Sequence, residues 1–104
     1  MPAASLRLDA YVVDVLLPDL VGHDRHPSAF LVYLHLWRRS RGGRAKGEAV
    51  TLRALADGTG LSKRAVQDAL ATLVRRRLVA VERSAPTAVP KIAVLRPWER
   101  RRAL

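Results

Sequence analysis

Apolar residues recur at helical spacing along most of this chain, then switch to strict alternation beyond Arg77. From Asp9, the segment DAYVVDVLLPDLVG places Tyr11, Val12, Val15 and Leu16 on one helical face, with Asp9 as N-cap. Its Val12, Val13 and Val15 would equally suit a strand. Pro18 is expected to break or restart the helix, and Gly22 to His26 reads as a polar turn. A second helix starts at Ser28, or at His26 with Pro27 in the first helical position. Phe30, Leu31, Leu34 and Trp37 form its stripe, widened by Leu36, and Arg38-Arg39 suit its C-terminal end. Ser40 to Glu48 reads as a flexible, glycine-rich basic loop, and Ala49-Val50-Thr51 as a short strand.

Two helices follow, joined by a tight turn. Thr51 caps the first, which turns Leu52, Leu55 and Ala56 inward and ends at Asp57-Gly58-Thr59-Gly60, with Gly58 expected in the left-handed conformation. Leu61 plugs the turn and Ser62 caps the next helix, whose buried stripe is Val66, Ala69, Leu70 and Leu73. Lys63, Arg64, Gln67 and Ala71 fall on the opposite face. Val79 to Arg83 and Lys91 to Arg96 then read as two strands of a hairpin, joined through Ser84–Pro90. Residues 1–8 look like a loose arm and Glu99 to Arg102 like a basic tail. The expected architecture is mainly α with a small β-hairpin. It divides into an arm and apolar segment (1–27) for packing or dimerisation, a central domain (28–96) and a basic tail (97–104).

Composition narrows the function. A chain of 104 residues supports one modest core, and with only five aromatic residues aliphatic side chains must fill it. The absence of cysteine excludes disulfides, thiolate metal sites and a thiol nucleophile. No apolar run approaches the roughly 18 residues of a membrane span, and the N-terminus has neither a signal nor a transit pattern. A cytoplasmic protein is the expectation. The net charge is +10. Residues 1–52 carry seven basic and five acidic side chains, whereas residues 53–104 carry twelve and four. Arginine in place of lysine is what a GC-rich genome would produce, but that bias does not explain the shortage of acids. The excess sits in the half with the helix pair, as a polyanion-binding face requires.

The run LRALADGTGLSKRAVQDALATLVRRRLVAVER resembles a winged helix-turn-helix domain: a small residue (Ala56) in the first helix, Gly60 in the turn, Ser62 opening the second helix, Val66 anchoring it, and Leu78-Val79 leading to the wing. Similar stretches occur in MarR-like and GntR-like regulators and in plasmid and phage replication proteins. The resemblance covers about residues 28–96 and implies a three-helix core plus wing, here with an extra N-terminal helical segment. It implies that helix 62–76 enters the major groove of double-stranded DNA. Arg64 and Gln67 would read bases, with guanine and adenine respectively as their bidentate partners. Ser62 and Lys63 would position phosphate, Thr59 would be a secondary phosphate contact, and Arg83 and Lys91 would act beside the wing tip. The tip itself, Ala85-Pro86-Thr87-Ala88, carries no charge.

Other readings stand beside these. Arg64 and Asp68, four apart, could form a mere surface pair. Arg75-Arg76-Arg77 could bind phosphate or simply complement the helix dipole. The tail could grip DNA or be solvated, and Trp37 and Trp98 read as core or interface anchors. His23, Asp24 and His26, with Asp19, match no metal signature, and neither a nucleophile elbow nor a phosphate loop is present, so no metal, cofactor or catalytic residue is assigned. The expected function is sequence-specific DNA binding by a bacterial transcriptional regulator, acting as a homodimer and open to control by a partner protein. A plasmid or phage replication or partition factor and a protein-docking winged helix are the alternatives.

Overall fold

The computed structural model describes residues 4–40 and 47–99. Its helices are an N-terminal helical segment (10–23), α1 (Pro27–Arg39), α2 (Leu52–Thr59) and α3 (Lys63–Arg75). Three short strands, β1 (Glu48–Ala49), β2 (Val79–Glu82) and β3 (Lys91–Val94), form one antiparallel sheet in the order β1-β3-β2. Val79 pairs with Val94 and Glu82 with Lys91 across the hairpin, and Glu48 pairs with Ile92 on the far side of β3. The protein is therefore mainly helical with a small three-stranded sheet. No described helix is long and apolar enough to cross a membrane.

The N-terminal segment departs from expectation at Pro18, which does not break it. Val12–Leu16 and Asp19–His23 wind as π-helix, and the Leu17 N–H bonds back five residues to the Val12 carbonyl. A widened turn relieves the clash of the proline ring with the preceding turn and leaves its missing N–H without cost. Val12, Leu16 and Leu20 thereby stay in line and are buried against the core. Asp9 contributes its carbonyl to the Val12 N–H, while its carboxylate accepts the indole N–H of Trp98 at 3.1 Å.

α1 is the central element, touching the N-terminal segment, α2, α3 and β3. Phe30, Leu36 and Trp37 of the expected stripe are buried and Leu34 packs against the core, but Leu31 is 44% exposed, while burial on several sides also takes in Val32 and Tyr33. Pro27 occupies its first turn, after His26. Trp37 donates to the Arg7 carbonyl at 2.8 Å and stacks near Trp98, which stacks on Tyr11 at 4.5 Å. Residues 4–8 are accordingly less loose than expected, because Arg7 and Leu8 are held against the core. The remainder of the arm (1–3), the loop 41–46 and the basic run 100–104 lie outside the described residues.

The helix pair forms from local signals. Thr51 accepts the Ala54 N–H and Ser62 the Ala65 N–H, each satisfying an orphan donor at a helix start. The turn between them is made by Gly60, not Gly58: Gly60 has φ +80, while Gly58 is helical. Gly58 is small for a different reason, since a Cβ there would lie 2.4 Å from the His35 ring of α1.

Candidate nucleic-acid interface

α3 has one buried and one open face. Val66, Ala69, Leu70 and Leu73 fill the core, which commits Lys63, Arg64, Gln67 and Ala71 to solvent. Gly60 and the buried side of Leu61 fix where the helix begins, so Ser62, Lys63 and Arg64 stand together at its N-terminus. The Ser62 hydroxyl oxygen accepts the Ala65 N–H at 3.0 Å, leaving its own hydrogen available to an acceptor. Lys63 and Gln67 have no side-chain partner among the described residues. Arg64 Nε lies 3.8 Å from Asp68, with the Arg64 side chain 84% exposed. A pair that open is too weakly held to withhold the guanidinium from a phosphate.

The other assigned positions sit differently. Thr59 is half-buried and its hydroxyl is spent on the turn, donating to the Leu55 carbonyl at 2.7 Å and accepting the Leu61 N–H at 3.2 Å. It shapes the helix pair from within. Arg83 donates to the Ala88 carbonyl at 3.0 Å and so braces the hairpin loop. Lys91 is exposed on β3, with Glu82 as its cross-strand neighbour.

At the opposite end of α3, sequence reasoning missed a network. Arg76 pairs through Nη2 with Asp19, and its Nε lies 3.2 Å from Asp24. His23 contacts Asp24 at 2.9 Å, and this contact, opposed by desolvation and aided by Arg76, lowers the Asp24 pKa. His26 Nδ1 meets the buried Thr72 hydroxyl at 2.9 Å. Arg76 thus does more than complement the helix dipole; it ties α3 to the N-terminal segment. The donor atoms of Asp19, His23 and Asp24 lie within 4.8 Å of one another, and the Arg76 guanidinium pairs with both carboxylates. No signal in the local sequence could identify these partners, because Asp19 lies 57 positions from Arg76.

No protein family matches the chain, and no curated protein or solved structure is significantly similar to it. The geometry alone therefore carries the functional reading.

Two further groups bear on the core. Tyr33 donates to the Leu95 carbonyl at 2.9 Å, and burial raises its phenol above the usual range. His35 is held below its ordinary value by desolvation first and by Arg39 second, and its Nε2 is buried without a hydrogen-bond partner among the described residues.

Proposed function

We propose that this chain is a winged helix-turn-helix protein that binds double-stranded DNA sequence-specifically, as a cytoplasmic transcriptional regulator of a bacterium. The observation that carries the reading is the exposed, capped N-terminus of α3. It sets Ser62, Lys63, Arg64 and Gln67 on one open surface of a chain with net charge +10. The element order α1-β1-α2-α3-β2-β3 and the sheet order β1-β3-β2 support the same reading, since they put a hairpin directly after the recognition helix.

In this reading Ser62 and Lys63 meet phosphate where the helix dipole favours an anion, and Arg64 and Gln67 reach base edges. The hairpin lies along the backbone, with Lys91 as its contact and Arg83 holding the loop in shape. A single module reads few base pairs, so two copies on a two-fold site are part of the proposal. The N-terminal segment, whose Val13 and Val15 are 45% and 39% exposed, is the proposed dimer surface. Light scattering over a dilution series should then reveal a dimer, and monomer at every concentration would remove that part.

Selection of bound duplexes from random DNA tests the main reading. A single enriched motif is expected, with Arg64→Ala and Gln67→Ala each losing about 1–3 kcal/mol and relaxing preference at one position. Enrichment of nothing, or binding untouched by both changes, would refute it. A replication or partition factor would use the same face, and enrichment of repeated origin-type sequence would mark it.

A further inference from the structure

A second surface lies at the far end of α3, about 16 Å along the helix axis from Lys63. There a groove of about 550 Å³ opens between α3 and the outer edge of the sheet, floored by Val74, Val79, Val81, Leu95 and Pro97. Val74 and Val81 are 44% and 37% exposed, so apolar surface lies bare in it. β2 is an edge strand. Its bonding phase follows from the Leu95 N–H to Leu78 carbonyl bond and the pairing of Ala80 with Ala93. Residues 78, 80 and 82 face β3 for hydrogen bonding, so the N–H and C=O of Val79 and Val81, both residues of the groove's lining, point away from β3 at the open edge. Such a row of open backbone groups above an apolar floor is what an added strand requires.

Charge selects the occupant. Arg77 lines the groove, is exposed, and has no side-chain partner among the described residues. A second copy fits poorly: the register that pairs Val79 of each copy with Val81 of the other sets Arg77 opposite Arg83, and like charges directly opposite destabilise a sheet. Two chains of +10 also repel. We propose that the β2 edge and its groove dock an extended, acidic segment of another protein. That segment adds as a strand beside β2, lays an aliphatic side chain over Val74 and Val81, and meets Arg77 with a carboxylate. The site uses none of Ser62, Lys63, Arg64 or Gln67, and it takes the outer edge of β2, away from Lys91 on β3.

The test is a nuclear magnetic resonance titration of the full chain with a capped heptapeptide alternating threonine and valine between two terminal glutamates. Its counterpart carries lysines in place of the glutamates. The Val79 and Val81 amides should shift and exchange more slowly with solvent, and the glutamate peptide should bind roughly five-fold tighter than the lysine peptide. Arg77→Glu should reverse that preference, and Val81→Asp, an exposed change, should abolish binding of both. Absence of shifts at Val79 and Val81 at millimolar peptide would overturn the proposal. So would shifts confined to Ser62–Gln67, or protection of the two amides by raising protein concentration alone, which would assign the edge to a second copy.

Discussion

The two ends of α3 are both basic and differ in what surrounds them. At the N-terminal end, Arg64 is 84% exposed and its nearest acid, Asp68, is itself 61% exposed. At the C-terminal end, Arg76 is 32% exposed and faces two carboxylates contributed by the N-terminal segment. A guanidinium between two half-buried acids is part of the fold, since its loss would leave those acids uncompensated. One that is open to water on most sides is free to exchange its weak partner for a phosphate or a base. The difference lies in the neighbours that tertiary structure supplies, and the identity of the residue does not reveal it.

That contrast is broken most sharply by a pair of substitutions. Arg76→Ala should destabilise the fold by about 1–3 kcal/mol in chemical denaturation while leaving DNA affinity of the folded protein unchanged. Arg64→Ala should do the reverse, costing affinity but moving stability by less than about 0.5 kcal/mol. Equal effects on both properties in either variant would erase the distinction between the two ends.

Ser62→Ala probes the end where the two roles meet. Loss of the cap to Ala65 should cost about 1 kcal/mol of stability, and loss of the hydroxyl donor should weaken DNA binding as well. Ser62→Asp would retain the cap but should weaken DNA binding further, because it sets a negative charge against phosphate. Thr72→Val at the other end should cost about 1 kcal/mol by removing the partner of His26, with no change in DNA affinity.

The smallest effect is on pH dependence. Burial lowers the His35 pKa from its ordinary 6.5, so the unfolded chain takes up the proton first. Stability should therefore fall as pH drops below the unfolded value and go on falling until the folded pKa is passed. His35→Gln should flatten that part of the profile in denaturation measured at several pH values. An unchanged slope would place the dependence elsewhere. Asp24, with its lowered pKa, contributes only at more acid pH, where its stabilisation is lost as pH falls below 3.8.

How far the sequence could be read followed the range of the forces involved. The caps Thr51 and Ser62, Pro27 in the first turn of α1 and the apolar stripe of α3 act within a few residues, and each was legible. The exposure of Lys63, Arg64 and Gln67 followed from that stripe. The choice between Gly58 and Gly60 was not legible, because the approach of His35 from another helix decides it. Pro18 misled because a π turn was available to absorb it, and the bonds by which the Thr59 hydroxyl closes the turn were not legible. The pairing of β1 with β3 involves two residues and a long connection, and the Arg76 network spans half the chain.

The central claim is that the open end of α3 is the DNA-binding face. Its most direct test is the salt dependence of binding to the selected duplex, comparing the unaltered chain with Lys63→Ala. The account predicts that log affinity falls linearly with log salt and that Lys63→Ala reduces the slope by about one phosphate contact without altering sequence preference. A salt-independent affinity, or a slope that Lys63→Ala leaves unchanged, would contradict it.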